Sequence, residues 1–415
     1  MSATVHIIGA GLAGLSAAVR LSRAGRRVVV HEATAFAGGR CRSYHDAALG
    51  MTIDNGNHLI LSGNRAALDY LRSIGAEHRL VGPPAAEFAF VDLASSERWT
   101  LRFNDGPIPF WIFDPGRRVP GTHALDYAPM ARLLWPPAGK AVGEVIACEG
   151  TVYRRLVEPL LLAALNIDPP QGSARLAAAV IRETLAVGGH ACRPLIAREG
   201  LGSTLIEPAL ALLQQRGAVI RMEHQLRSMR SGRDRVETLY FGNDSIVLKP
   251  GDAVVLAVPP YAAAPLVGEL AMPTEFRAIV NAHFRIEPPP ALPPMLGVLN
   301  ATVEWIFAFP GRVSVTISAG DRLIDTPREE LAKAIWSEVA RAIGLPAALP
   351  PWQIVRERRA TFAATPAQDA KRPGVTTQWR NLILAGDWTD TGLPATIESA
   401  IRSGNRAAEA IAKLS

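Results

Sequence analysis

ATVHIIGAGLAGLSAAVRLSRAGRRVVVHEA, residues 3–33, is the stretch on which the fold turns. Residues 5–8 form a short β-branched run that reads as a strand, and residues 12–22 repeat apolar side chains at helical spacing. Gly25 stops that helix, and a second β-branched run, residues 28–30, follows at once. Between strand and helix stand Gly9, Gly11 and Gly14 in the order G-x-G-x-x-G. The first glycine permits a tight turn, the second lets backbone N–H groups approach a pyrophosphate, and the third allows helix and strand to pack closely. The helix N-terminus favours the negative charge. Glu32 ends the second strand, where a carboxylate can accept from a ribose hydroxyl. Strand, turn, helix and acid together predict a dinucleotide site opening a mostly parallel sheet.

Two further segments favour FAD over NAD. GGRCRS, residues 38–43, follows Glu32 closely. Its pair Gly38 and Gly39 suits close backbone approach, and Arg40 and Arg42 are placed to neutralise phosphate oxygens. At the far end, LILAGDWTD closes a strand on Gly386 and Asp387, and a helix begins near Thr396 and Ile397. An acid at that point suits a polyol such as ribityl. The free N–H groups of the helix would face negative charge developing on a reduced flavin, a field worth ~0.3–2 kcal/mol depending on burial.

Between these ends the character of the chain alternates. From about 80 to 195, prolines and aromatics punctuate GPPAAEFAF, NDGPIPFWIFDPG and LLWPP, followed by helical VYRRLVEPLLLAAL. The α/β rhythm returns with GLGSTLIEPALALLQQRGAVI and DAVVLAVPP, and a second irregular section covers about 261–370. The expected architecture is α/β: a discontinuous Rossmann-type cofactor domain over 1–80, 198–260 and 372–415, and an inserted α+β substrate domain over 81–197 and 261–371. GLGSTL lacks both a preceding buried strand and a third glycine, so no second dinucleotide site is expected, and electrons must come from an external donor.

Composition bounds the rest. The 415 residues carry a net charge of +6, nearly all of it arginine, since lysine occurs only at 140, 249, 333, 371 and 413. No basic block with interleaved aromatics appears, which argues against nucleic acid and leaves a solvated basic surface or an anionic membrane face. Cys41, Cys148 and Cys192 are far apart without metal-ligand spacing, so no metal is expected and the thiols are read as reduced, as in the cytosol. No apolar run reaches the length of a spanning helix, and no signal peptide is evident at the N-terminus. The expectation is a cytoplasmic protein with peripheral contact at the inner face of the cell membrane.

With both glycine segments in hand, the chain resembles the FAD-dependent amine oxidase and phytoene desaturase superfamily over essentially its whole length. Within it, IDNGNHLILSGN (residues 53–64), EPLLLAALNIDPPQGSA and GDWTDTGLPATIESAIRSGNRAA are most similar to the hydroxysqualene dehydroxylase family of hopanoid biosynthesis. The resemblance implies that Gly9, Gly11, Gly14, Glu32, Arg40 and Asp387 bind FAD. Leu226 stands where the superfamily usually has a valine whose backbone meets the adenine. Asp54, Gly56 and His58 match a D-x-G-x-H element beside the flavin ring, where Gly56 would let backbone pass the flavin edge. His58 is then a candidate for proton donation, for hydrogen bonding to the flavin, or for bracing the loop; Asp54 is a catalytic candidate whose more natural role is to pair with backbone N–H groups or an arginine.

The reaction the resemblance implies is reductive: hydroxysqualene loses its allylic hydroxyl and gains hydride, giving squalene and water. Apolar side chains of the insertions, Phe88, Phe90, Phe110, Trp111, Phe113, Trp135 and Leu160, Leu161 and Leu162, are expected as tunnel lining and as a membrane-facing lip. The competing readings are a carotenoid-type desaturase, which needs the same tunnel, and a non-catalytic prenyl-lipid carrier on the same fold. An amine oxidase would want a lysine at the flavin, and none of the five lysines matches.

Overall fold

The computed structural model describes residues 3–414. β1 (Thr4–Ile8) lies at the centre of a five-stranded, wholly parallel sheet. β2 (Arg27–His31) and the strand Ala253–Leu256 flank it, paired as Ile8 with His31 and Ile8 with Leu256. Val219–Arg221 and Leu382–Leu384 form the outer strands. The three central strands are almost wholly buried and largely apolar, broken only by the buried His6 and His31, because both faces of the sheet are covered. Ile7, Val255 and Ile383 pack against α1 (Leu12–Arg23) and the C-terminal helix Ile397–Ala412. Ile8, Val254 and Leu256 pack against an antiparallel meander, Ser228–Ser231, Val236–Phe241 and Asp244–Val247. The two helices approach so closely that a Cβ on Gly404 would fall 2.0 Å from Ser16 Oγ and 2.2 Å from Ala13 O.

The second layer is a seven-stranded sheet in the order Trp352–Phe362, Phe276–Phe284, Arg312–Ile317, Trp305–Phe309, Met295–Leu299, Glu87–Asp92, Arg98–Arg102. All neighbours are antiparallel except Met295–Leu299 with Glu87–Asp92. Strand alternation divides its faces. Val280, Ala282 and Phe284 point into a core closed by the helix Arg328–Ile343, with Trp336 at its centre. Ile279 and Asn281, from the same strand, look the other way, into the cleft described below. Helices Glu158–Leu165 and Ala174–Glu183 close that cleft from the opposite side.

A small sheet joins the layers: Pro194–Ala197 pairs with Leu59–Leu61 and with Leu80–Val81. Pro194–Ala197, the last residues of the segment 81–197, thus lies between a strand from residues 1–80 and one that straddles the expected boundary at 80/81. Two helices open with a widened π turn, Tyr153–Val157 and Gly202–Ile206. Each turn runs into Glu-Pro, whose proline lacks the N–H needed for the regular i→i−4 bond. All three cysteines are free thiols. Among the described residues, no helix is long and apolar enough to cross a membrane, and no group of side chains could hold a metal ion.

Candidate active site

One cleft of about 840 Å³ runs between the layers and draws its walls from both ends of the chain. Its first arm is polar and backbone-rich. Gly9 adopts φ +106°, and a Cβ there would meet Ala257 O at 2.6 Å. Gly14 lies beneath, where a Cβ would strike Gly9 O at 1.9 Å. A Cβ on Gly11, by contrast, would meet no protein atom within 4 Å; it would point into the cleft. Gly11 also caps α1 without any side-chain bond, so the free N–H groups of the first turn face open space. Gly38 (φ +110°) donates its N–H to Ala10 O at 2.9 Å, laying the second glycine pair over the first. The three glycine positions therefore build a cradle that fits a pyrophosphate.

Glu32 lines the same arm. It accepts from Ala10 N at 2.8 Å and from Thr34 N and Oγ1 at 3.0 and 2.9 Å, which fixes the carboxylate at the strand end. Leu226 is buried on the wall, and its backbone N–H has no protein partner among the described residues. Gly386 and Asp387 close the arm from the far end of the chain, with Thr396 capping the C-terminal helix by accepting from Ser399 N at 3.1 Å. Thr396 and Ile397 reach the cleft.

Arg40 sits differently from expectation. Its guanidinium donates to Asp387 Oδ1 at 2.7 Å and to Ala360 O at 2.6 Å, rather than standing free for phosphate. Burial works against its charge, but the Asp387 carboxylate more than offsets this and holds the guanidinium above its ordinary pKa. Asp387 keeps Oδ2 without a protein partner among the described residues, so it retains an acceptor for a polyol. Sequence reading missed the residue that braces this loop. Arg372, fully buried, donates to Asp387 O and Thr389 O and pairs with Asp369 at 3.2 Å.

The second arm is apolar. Phe88, Phe90, Leu101, Phe103, Leu156, Leu160, Met295, Trp305 and Phe307 form its wall. Of the expected tunnel residues, Phe88, Phe90 and Leu160 are on it, and Phe110, Trp111, Phe113, Trp135, Leu161 and Leu162 are not. Leu161 is wholly buried in the helical core, and Trp111 packs edge-on behind Phe103 at 4.8 Å. Phe110 and Phe113 face solvent, 63% and 65% exposed. The reason is local: a Pro-rich 3-10 segment has no hydrophobic period to say which aromatic turns inward.

The stretch 53–64 lies where the arms meet. Gly56, Asn57 and His58 line the cleft; Asp54 does not. Asp54 Oδ1 accepts from Ser43 Oγ at 2.5 Å and Leu201 N at 2.8 Å, and Oδ2 lies 3.7 Å from the buried Arg312. With its oxygens engaged behind the wall, Asp54 holds the loop and does not reach a substrate. His58 is half-buried; burial, with the nearby Arg40 charge, pulls its pKa down to about 4. At neutral pH it is an uncharged imidazole and a poor acid. Glu357, Asn281 and Thr316 also reach the junction, and no motif marks them in the sequence. A β-bulge across Arg277 and Ile279 re-aims the strand around residues 357–361, turning Glu357 and Arg359 to the cleft and Ala360 O to Arg40.

A two-layer fold with a dinucleotide cradle opening onto an apolar chamber defines a flavoenzyme of the amine oxidase type. The chain belongs to that family: residues 12–412 match the flavin-containing amine oxidoreductases. It is therefore an FAD-dependent oxidoreductase, and the first arm fits FAD. Within the family it falls among the hydroxysqualene dehydroxylases. It is 61% identical to the one from Rhodopseudomonas palustris over 99% of both chains, and 58% identical to the one from Sinorhizobium fredii over 99% of this chain and 98% of that one. Among solved structures, cyclohexylamine oxidase from Brevibacterium oxydans superposes with a TM-score of 0.73 at 19% identity, covering 100% of this chain and 99% of that one, which speaks to the fold alone.

Proposed function

We propose that this chain reductively removes the hydroxyl of hydroxysqualene to give squalene; its full-length relatives are named hydroxysqualene dehydroxylases. The observation that carries the reading is the continuity of the cleft: a flavin cradle leads without a break into a chamber walled by aromatic and aliphatic side chains. A triterpene gains about 0.8 kcal/mol for each CH₂ it buries there. When bound and reduced, the flavin supplies a hydride. The protein's own part is to hold the hydroxyl-bearing carbon at the junction, within about 3–3.5 Å of the donor atom, and to keep water from the electron-poor carbon.

Of the site residues, Gly9, Gly11, Glu32, Gly38, Gly39, Leu226, Gly386, Asp387, Thr396 and Ile397 would hold FAD, with Gly14 shaping the turn beneath. Arg40 would act through Asp387, and His58 as a neutral N–H donor at the junction. The working division of the chain is 1–80, 198–260 and 372–415 for the cofactor, 81–197 and 261–371 for substrate. It is supported by the two sheets drawing their strands from different segments.

Delivery of so insoluble a substrate favours contact with a bilayer at the inner face of the cell membrane. Among the described residues, Ile108, Phe110, Phe113, Leu125 and Trp135 supply half of the exposed large apolar side chains within 28 residues. Their segment is joined to the chamber wall through the Phe103–Trp111 contact. The reading needs an external electron donor. The test is incubation of the dithionite-reduced holoenzyme with hydroxysqualene, followed by lipid chromatography. Squalene is the expected product; more unsaturated products formed from squalene by the oxidised enzyme would establish a desaturase instead, and a colourless protein would point to a carrier.

A further inference from the structure

A residue that lines the cleft and is also exposed to solvent marks an opening. Such residues fall into two groups. The first, which includes Thr34, Phe36 and Arg227, borders the cofactor arm. The second is Ala163, Tyr261, Pro265 and Arg359, from the helices Glu158–Leu165 and Pro260–Val267 and the strand Trp352–Phe362. The aromatic lip contributes nothing: among the described residues, none of 108–135 lines the cleft. There the chamber is shut, because Phe103 and Trp111, 7% and 8% exposed, pack edge-on at 4.8 Å, with Tyr127 behind Trp111 at 5.2 Å.

The second opening is framed by two helices of similar character. A helix at a protein surface ordinarily carries a polar face. Pro260–Val267, PYAAAPLV, has no charged side chain, and Glu158–Leu165, EPLLLAAL, has one, at its first position. Neither helix is fully buried: Ala163, Tyr261 and Pro265 are exposed, and Leu160 and Leu266 are half-buried on the cleft. Both are fastened to adjacent rungs of one strand pair, Phe276 with Phe362 and Arg277 with Thr361. Asn166, which ends the first helix in the left-handed conformation, donates Nδ2 to Thr361 Oγ1 at 2.8 Å and to Arg277 O at 3.4 Å. Tyr261 of the second helix packs edge-on against Phe276 at 5.7 Å. Arg359, the one charged member of this group, lies with its guanidinium over the Tyr261 ring at 4.5 Å. Alanine at 163, 164 and 262 keeps the cleft faces of the helices slim.

We infer that the gap between these two helices is the portal through which a long hydrocarbon chain enters and leaves the chamber. The inference rests on the proposed substrate class and adds to it the route. Apolar surface exposed at both sides of an opening is costly in water and is covered when a hydrocarbon passes. The chain then runs from the portal past the junction toward the closed end behind Phe103. Membrane attachment and substrate entry are thereby carried by different surfaces, the lip for the first and the helix pair for the second.

The test plugs the gap after folding. Ala163→Cys holoenzyme is labelled with a bulky maleimide, and wild type treated alike controls for Cys41, Cys148 and Cys192. Oxidised protein in detergent micelles is mixed with hydroxysqualene or with squalene in stopped flow, and association is followed by the perturbation of the flavin spectrum. The label at 163 is expected to slow association of both lipids at least ~tenfold, with flavin content unchanged. The same label on Ala128→Cys, exposed in the lip, is expected to leave both rates within about twofold. Should Ala163→Cys fail to fold, Pro265→Cys carries the label across the same gap. Rates unchanged by a label in the gap, or slowed equally by the label in the lip, overturn the inference, as does wild type that takes up neither lipid. Uptake that is blocked at 163 in an enzyme that makes no squalene leaves the portal standing and overturns the proposed reaction instead.

Discussion

Arg40 and Asp387 are 347 positions apart in the chain and 2.7 Å apart in the fold. Each segment is ambiguous alone; together they join the two ends of the flavin cradle. Asp387 is buried, and Arg40 supplies its side-chain partner. Arg40→Ala is therefore expected to lower flavin occupancy at least tenfold and to reduce the melting temperature, with Arg40→Lys intermediate because a lysine cannot serve Asp387 and Ala360 O in one plane. Flavin absorbance per protein, read alongside a thermal melt, checks this. His58 gives an opposite kind of forecast. Its pKa of about 4 leaves it neutral across pH 5–8, so it cannot produce a limb near 6.5 in the pH dependence of kcat. His58→Gln should slow turnover by no more than about tenfold without reshaping the profile. A limb near 6.5 that vanishes in the variant would return His58 to the role of acid. At this scale the glycines and terminal acids were legible because each carries a spacing that backbone geometry demands. Asn281, Thr316, Glu357 and Arg372 were not, because a single polar residue inside a strand or loop looks the same in sequence whether it faces a core, a cleft or water.

The elements show what the glycine spacing was for. The packing of α1 on the C-terminal helix depends on a bare Cα at Gly404, and even one methyl would overlap Ser16 and Ala13. Gly404→Ala is expected to cost about 1–3 kcal/mol, seen as a lower melting temperature with flavin binding weakened in step. Neighbouring strands bring three histidines into line: His6 Nδ1 lies 3.1 Å from His31 Nε2, and His31 Nδ1 lies 2.9 Å from His224 Nδ1. Burial draws His6 down to about 4 and His31 to about 3, with Arg221 lowering both; Asp252 pulls His6 the other way, and His224 meets Asp244 at the surface. The unfolded chain takes up these protons near 6.5, the folded chain only near 3–4. Between those values the unfolded state binds more protons, so stability must fall as pH drops from 6.5 and level off below about 3. Urea midpoints at pH 7.5, 5.5 and 4.5 should decline in that order, and His31→Gln should flatten the slope. The central strands of the parallel sheet were readable as short runs rich in β-branched residues. The pairing of Pro194–Ala197 with Leu59–Leu61 was not readable, because a four-residue apolar strand does not declare its partner.

For the whole molecule, the parallel sheet was foreseen and the seven-stranded one only as an unspecified α+β insertion, since its two segments join where Leu296 pairs with Ala89, a long-range contact no local pattern encodes. The aromatics of 108–135 show the same limit: their concentration was visible, but not which of them face outward. That outward face yields a prediction at this scale. Replacing Phe110, Phe113 and Trp135 together by serine should reduce co-sedimentation with anionic phospholipid vesicles by tenfold or more, while turnover of micellar substrate stays within about twofold. Unchanged sedimentation would remove the membrane from the account. The central claim is that both ends of the chain grip one FAD whose reactive ring opens onto the apolar chamber. Anaerobic mixing of reduced holoenzyme with hydroxysqualene in stopped flow tests it most directly. The account predicts that the yellow colour of oxidised flavin returns in a single turnover, with one squalene formed per flavin. Flavin that stays bleached beside unchanged hydroxysqualene would contradict it.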